Sequence, residues 1–420
     1  MSILLAAASA AQGFDVEAAT RAYLDTLQGA ARAKSDSYFE GGYWLPLWGA
    51  LVSILAYWAM LHFRWSAKWS CWAGRVTSRR WLQPAVYALP FTLAGAALTL
   101  PWTIYVAYYR EHQYGLSNQS FLAWLSEWSI MLGVGLVTGA VFFAIIYAVI
   151  RNSPKRWWLW GTIATGALLS VLILLAPVFV EPLLNKYTAM EAGPVRSEIL
   201  RIAHEQGIPT EEVFIVDASR QTKRISANVS GLGPTIRIAL NDNLLNRSNT
   251  AGIKAVMGHE MGHYKLYHIQ KLLLYLTLMA LAGFLVTFWA VPRLLARNGE
   301  RWGVTDVADP GSAPVFWGLL ALLAVPGGIL FNSIIRYHES EADAFGLEAA
   351  REPDGFAMTA MQLSEYRKIE PGTWEERIFF DHPSGRTRVR MAMEWKATHL
   401  DELPADQRGI IVMTPEGKAN

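Results

Sequence analysis

Six long apolar stretches, separated by polar segments, form the dominant pattern along this chain of 420 residues. A helix needs about twenty apolar residues to cross the hydrocarbon core of a bilayer, and each stretch supplies them. The stretches lie at residues 43–63, 82–107, 130–150, 158–180, 272–291 and 315–335. Tryptophans such as Trp44, Trp81 and Trp157 stand near their ends, where the aromatic belts of membrane proteins lie. The pattern predicts a polytopic membrane helix bundle of about six spans.

The polar segments on either side of the last two stretches have mixed helix and strand patterns. In the first segment, residues 194–206 have helical spacing, and residues 213–217, 224–229 and 235–241 read as strands. Residues 231–234 are predicted to form the turn between the last two strands. Because two spans separate the polar segments, the chain returns to the side it left. We therefore expect the segments to fold together as one small α+β domain beside a mainly α bundle.

These patterns divide the chain into five parts. Residues 1–42 form an amino-terminal segment, residues 43–180 carry four spans, and residues 271–336 carry two more. Residues 181–270 and 337–420 form the two halves of the polar domain. Within the first part, residues 1–14 fit either a signal peptide or a frayed terminus, and both alternatives stay open. Residues 15–40 are predicted to form an interfacial or peripheral helix.

Composition excludes several classes of protein. The chain is 52% hydrophobic and only 17% charged, with a mean hydropathy of +0.20, which is too apolar for an ordinary soluble domain. A net charge of +2 is too small to indicate nucleic acid as a partner. Cys71 is the single cysteine, which excludes disulfides within the chain and cysteine-ligated metal sites. We expect an integral, multi-pass membrane protein, with the lipid bilayer as one of its partners.

An HExxH motif at residues 259–263 carries the candidate chemistry. His259 and His263 are four residues apart on a predicted helix, so both imidazoles point from one face and can hold one metal ion. Catalytic zinc usually has three protein ligands, and Glu339 is the predicted third. Asp343 follows Glu339 by one helical turn, where a carboxylate can accept a hydrogen bond from a ligating histidine. The arrangement predicts zincin chemistry, with Glu260 as the general base.

With spans around both motifs, the chain resembles the type I CAAX prenyl protease family of integral-membrane zinc endopeptidases. The resemblance rests on HExxH followed by Arg336, Glu339 and Asp343 in the spacing RxxExxxD, and it extends from about residue 109 to residue 390. Further matching stretches are residues 109–115, 184–187, 237–245 and 381–384. The resemblance implies one zinc ion per chain. The family has seven spans, compared with six predicted here, and the missing span is expected at the amino terminus. The family also has a cytosolic catalytic domain.

The resemblance also implies roles for residues beyond the metal ligands. The family carries a His-Pro pair where this chain has His382, and an amide hydrolase needs a donor for its developing oxyanion, so we expect a catalytic role for His382. A structural histidine is the alternative. The family assigns proton donation to the aspartate matching Asp343, whereas the spacing favours the orientation of a ligand. His268 and His338 are interpreted as polar residues outside the metal site.

Substrate contacts are predicted on the hairpin of residues 224–241, which can pair with an extended peptide as an added strand. An ordinary structural hairpin is the alternative. Ser226 and Asn228 lie in this hairpin and, with Arg388, are the predicted substrate-binding residues. The family often has Asn-Ala-Tyr where this chain has Ser-Ala-Asn, so pairing through the backbone is the firmer expectation.

The sequence therefore predicts a membrane-embedded zinc endopeptidase that cleaves peptide bonds in membrane-associated or lipid-modified proteins. A quality-control metalloprotease of membrane proteins, or a non-catalytic membrane scaffold, are the alternatives, and the intact Glu260 argues against the scaffold. We expect the protein in a bacterial plasma membrane. Its sidedness stays open, because the family implies a cytosolic catalytic domain, whereas basic residues are concentrated in the short loops opposite that domain. Those basic residues are Arg64, Lys68, Arg75, Arg79, Arg80, Arg151, Lys155, Arg156, Arg293, Arg297 and Arg301.

Overall fold

The structure is a computed structural model that describes residues 13–231 and 236–414. Within these residues, six helical segments are long and apolar enough to cross a membrane, which confirms the predicted bundle. These segments are Gly29–His62, Gln83–Gln113, Phe121–Asn152, Trp157–Leu184, His268–Trp302 and Pro310–Ala350. Most of the predicted signal peptide and the predicted turn at residues 231–234 lie outside the described residues.

Helices account for most of the described chain. Those of the amino-terminal and membrane region are α1 (Val16–Leu24), α2 (Gly29–Gly42), α3 (Leu45–His62), α4 (Trp65–Val76), α5 (Gln83–Ile104), α6 (Arg110–Gln113), α7 (Phe121–Asn152), α8 (Trp157–Leu175) and α9 (Glu181–Leu184). Those that follow are α10 (Pro194–Glu205), α11 (Asp242–Arg247), α12 (Thr250–Lys265), α13 (His268–Trp302), α14 (Ala313–Ala350), α15 (Pro353–Leu363), α16 (Thr373–Phe379) and α17 (Gly385–Thr398). One-turn π segments at Tyr105–Tyr109 and Ala176–Val180 interrupt two spans. Pro101 lies one turn before the first segment, and Pro177 lies within the second.

A small four-stranded sheet lies beside these helices. Its strands are β1 (Tyr187–Ala189), β2 (Val213–Val216), β3 (Ala227–Ser230) and β4 (Arg237–Asn241), in the order β1-β2-β4-β3. β2 and β4 run parallel, whereas β1 and β3 pair antiparallel with their neighbours. β3 and β4 pair as predicted, with Val229 opposite Ile238, but β1 was not anticipated because it is only three residues long. β3 is an edge strand of this sheet, so one side of its backbone remains available for pairing.

The amino-terminal segment forms two helices, α1 and α2, where the sequence predicts one interfacial or peripheral helix. α1 packs into the same hydrophobic core as α15 and α17 of the carboxyl-terminal half, and Phe14 belongs to that core. The hydroxyl of Tyr23 lies 3.0 Å from Oδ1 of Asp354, whose Oδ2 accepts a 2.6 Å hydrogen bond from Nζ of Lys396. α2 forms the first part of the candidate span Gly29–His62. Residues 13–42 therefore contribute partly to the polar domain and partly to the bundle.

Candidate active site

Two long helices cross at the candidate active site, and glycines permit their close approach. A Cβ atom on Gly346 of α14 would lie 2.7 Å from the backbone nitrogen of His259 in α12. A Cβ atom on Gly258 would lie 2.9 Å from the carbonyl oxygen of Gly346. Real Cβ atoms essentially never come that close, so neither position accepts a larger residue without a shift of backbone. The HExxH helix therefore rests directly against the helix that carries Glu339.

Three side chains converge from these helices in a compact triangle. Nε2 of His259 lies 3.1 Å from Nε2 of His263 and 3.3 Å from Oε2 of Glu339. Nε2 of His263 lies 3.4 Å from Oε1 of Glu339. Zinc bonds of about 2.0–2.1 Å at tetrahedral angles separate neighbouring ligand atoms by roughly 3.3 Å. These edges, and a buried Glu339 Oε2 that accepts no hydrogen bond among the described residues, fit a tetrahedral metal site.

Asp343 lies behind this triangle and fixes the orientation of one histidine. Its Oδ1 is 2.8 Å from Nδ1 of His259, so the ring proton resides on Nδ1 and the lone pair of Nε2 faces the triangle. Arg388 holds the carboxylate from its other side, with Nε donating 2.9 Å to Oδ2 and Nη2 donating to Oδ1. Asp343 has no exposed surface. The orienting role of Asp343 stays a prediction, and its contact with Nδ1 of His259 supports it.

The HExxH helix ends sooner than the sequence indicated. α12 begins after Asn249, whose Oδ1 accepts a 2.9 Å hydrogen bond from the backbone N–H of Gly252, as the capping residues predicted. It stops at Lys265, and Tyr267 has a φ of 58°, which turns the chain before α13 begins. The prediction that His268 belongs to the HExxH helix is therefore wrong. His268 begins the next helix, and this turn directs its ring back towards His263.

A cavity of about 190 Å³ opens beside the triangle. Glu260, Ser226 and His382 line it, and Phe356 and Leu363 contribute apolar walls. Burial raises the pKa of Glu260 above its ordinary value of 4.5, while nearby histidines oppose the rise. A carboxylate of increased basicity beside a metal site is suited to accept a proton from water. The cavity therefore combines a base, a metal site and room for part of a peptide.

His382 faces the cavity from the loop before α17. Its Nε2 lies 3.2 Å from Oε2 of Glu339, and its Nδ1 lies 2.9 Å from Oδ1 of Asp381. Burial and the charge of Arg367 lower the pKa of His382 below 6.5, whereas Asp381 opposes that shift. With one proton held on Nδ1 by Asp381, the Nε2 atom donates only when the ring carries a second proton. Arg367 and Asp381, to which the sequence assigned no individual role, therefore shift the pKa of His382 in opposite directions.

The predicted substrate-binding residues occupy three different settings. Ser226 lines the cavity next to β3, while Asn228 lies within β3, paired with Ala239, and its Oδ1 is buried without a hydrogen bond. Arg388 also lines the cavity, but its donors are directed at Asp343. Of these three side chains, only that of Ser226 lines the cavity without being directed at the Asp343 carboxylate.

Comparisons with known proteins match nearly the whole chain. A sequence model described as peptidase family M48 matches residues 189–396, which hold strands β2 to β4, the triangle and His382. A second, described as the CAAX prenyl protease N-terminal domain with five membrane helices, matches residues 20–186. That region holds four of the six candidate spans among the described residues, compared with five membrane helices in the description of the sequence model.

Individual relatives agree with these matches. The "Uncharacterized metalloprotease YhfN" of Bacillus subtilis is 27% identical over 78% of this chain and 77% of its own length. The "CAAX prenyl protease 1 homolog" of Dictyostelium discoideum is 29% identical over 61% of each chain. Among solved structures, the crystal structure of S. mikatae Ste24p superimposes with a TM-score of 0.71 at 19% identity, covering 93% of this chain and 98% of that chain. This last likeness shows a shared fold.

Proposed function

Because the chain belongs to peptidase family M48 and carries the membrane domain of the CAAX prenyl proteases, we propose that its metal is zinc, held by His259, His263 and Glu339. The protein is a membrane-embedded metalloendopeptidase that acts on peptide or protein substrates. The observation that carries the zinc proposal is the triangle of two imidazole nitrogens and one carboxylate, with edges of 3.1 to 3.4 Å. Two nitrogens and one oxygen are the donor set of many catalytic zinc sites.

Zinc in this site supplies Lewis-acid activation of water and of the scissile carbonyl. Glu260 accepts the proton of the attacking water and delivers it to the leaving amine, and its raised pKa favours the first of these transfers. His382, in its doubly protonated form, donates from Nε2 to the oxygen on which negative charge develops. Asp343 and Arg388 hold His259 in the tautomer that presents its Nε2 lone pair. No covalent intermediate between the enzyme and its substrate is required.

The proposed substrates are membrane-associated or lipid-modified proteins of a bacterial plasma membrane. α14 runs without a break from the apolar segment after residue 313 to Glu339 and Asp343, so the cavity is close to the membrane-spanning part of the chain. The edge of β3 offers backbone donors and acceptors to an extended peptide. Names of relatives also support prenylated carboxyl termini as one substrate class, and the similarity to a Bacillus subtilis protein supports a bacterial setting.

The test compares purified wild-type protein with Glu339→Ala and Glu260→Gln. Elemental analysis should find one zinc ion per wild-type chain, and Glu339→Ala should lose most of it. Glu260→Gln should retain zinc and lose nearly all hydrolysis, because an amide cannot accept the proton of water. Substrates are a pair of identical peptides with and without a prenyl group on cysteine. Full zinc and full activity in Glu339→Ala would refute the ligand set, and equal cleavage of both peptides would refute lipid recognition.

A further inference from the structure

The two histidines of the triangle are supported in different ways. His259 donates from Nδ1 to the carboxylate of Asp343. For His263, the neighbour is a third imidazole, because its Nδ1 lies 2.8 Å from Nδ1 of His268. The rings of His263 and His268 stand nearly perpendicular, at 72°, so this contact is made edge to edge and not by stacking. His268 is only 4% exposed, so water does not compete freely for this contact.

Proton positions follow from the geometry. His263 directs Nε2 at the triangle, and a metal ligand needs a lone pair there, so its single proton is on Nδ1. Nδ1 of His268 must then be the acceptor, which puts the proton of that ring on Nε2. Nε2 of His268 lies 3.3 Å from Oε2 of Glu341, and the same oxygen lies 3.3 Å from Nζ of Lys271. The contacts therefore run from His263 to a neutral imidazole whose Nε2 lies near the Glu341 carboxylate without hydrogen-bond geometry to it.

We propose that His268 is a positioning residue that fixes the tautomer and ring orientation of His263 and thereby sets the affinity of the site for zinc. The proposal rests on the proposed zinc site. A hydrogen-bond partner behind a ligating histidine increases metal affinity on the order of 10- to 100-fold. His268 meets this requirement from outside the HExxH motif, because the turn at Tyr267 returns the chain to the motif.

Packing is the competing explanation, because the same ring has a second contact. His268 stacks on His338 with ring centroids 4.6 Å apart and an interplanar angle of 10°. If stacking alone explained the burial of His268, any flat ring would replace it. If the acceptor matters, a substitute must present a lone pair where Nδ1 stands. These two requirements can be separated by substitution.

The experiment measures zinc dissociation constants of purified full-length variants by competition with a chelating dye. His268→Phe keeps the flat ring and removes the acceptor, and we expect zinc to bind on the order of 10- to 100-fold more weakly. His268→Asn removes the ring, but its amide oxygen stands near the position of Nδ1, and we expect an affinity within about threefold of wild type. His268→Gln places its oxygen nearer the position of Nε2, so its zinc affinity should resemble that of His268→Phe. It replaces His268→Phe in the experiment if the phenylalanine variant does not fold.

The outcomes separate this inference from the zinc proposal. Wild-type protein without zinc would refute the proposed function itself. Zinc-binding wild type together with unchanged affinity in His268→Phe, or in His268→Gln as its replacement, would overturn the positioning role. Weakening in His268→Asn that equals that of His268→Phe would also overturn it, because an acceptor at the position of Nδ1 would then fail to restore the affinity. A cobalt-substituted sample gives a second readout, since its visible bands should shift in His268→Phe and not in His268→Asn.

Discussion

Gly346→Ala tests whether the crossing of α12 and α14 builds the metal site. The added Cβ would lie 2.7 Å from the backbone nitrogen of His259 and 2.9 Å from its Cα. Ordinary van der Waals contact begins near 3.4 Å, so the two helices must separate by about 0.7 Å. The neighbouring atoms belong to backbone, so no side chain can rotate away to make room.

That displacement is large compared with the tolerance of a zinc site. Metal–ligand distances are held within about 0.2 Å, and the triangle joins His259 and His263 on one helix to Glu339 on the other. We expect Gly346→Ala to weaken zinc binding at least tenfold and to reduce hydrolysis in proportion. Overpacking should also cost about 1–3 kcal/mol of stability. The measurements are zinc affinity, peptide hydrolysis and thermal unfolding in detergent.

Gly328→Ala is the matched control, because it lies in the same helix and an added Cβ would meet nothing within 4 Å. Gly328→Ala should leave zinc binding and hydrolysis unchanged. It should not lower stability, because alanine has a higher helix propensity than glycine. Wild-type zinc affinity and activity in Gly346→Ala would refute the claim that the glycine contact sets the ligand spacing. Equal losses in both variants would show a general intolerance of this helix to alanine.

Three further predictions concern the donor to the oxyanion and the orientation in the membrane. His382→Ala should retain zinc and lose on the order of a hundredfold in kcat, and wild-type turnover would return His382 to a structural role. Asp381→Asn should move the alkaline decline of kcat/KM to lower pH. Asp381 opposes the lowered pKa of His382, and the ring donates from Nε2 only while doubly protonated; an unmoved pH profile would contradict this. Cys71, an exposed thiol in α4, should resist an impermeant maleimide on intact cells if the basic loops are cytoplasmic, and it should react fully after denaturation. Its labelling on intact cells would instead indicate a cytosolic catalytic domain.

Local pattern was enough to predict much of this protein. The six spans follow from apolar length, because a bilayer core imposes the same requirement on every crossing helix. His259 and His263 share a face because of helical period, and so do Glu339 and Asp343. Inferring a shared helical face requires only the positions of residues within one or two turns of each other along the sequence. The spacing alone does not require Glu339 to lie beside the two histidines. That prediction rests on the usual three protein ligands of catalytic zinc and on the family resemblance.

Tertiary structure decided the features that depend on distant parts of the chain. The packing of α1 against α15 and α17 joins residues more than three hundred positions apart, and no periodicity encodes such a contact. Gly258 and Gly346 look like ordinary helical glycines until the crossing helix is seen. A continuous helix would turn His268 away from His263, whereas the left-handed backbone at Tyr267 directs it back. Spacing specifies the direction of a side chain only while the helix continues, and beyond its end the packing of other elements determines which residues meet.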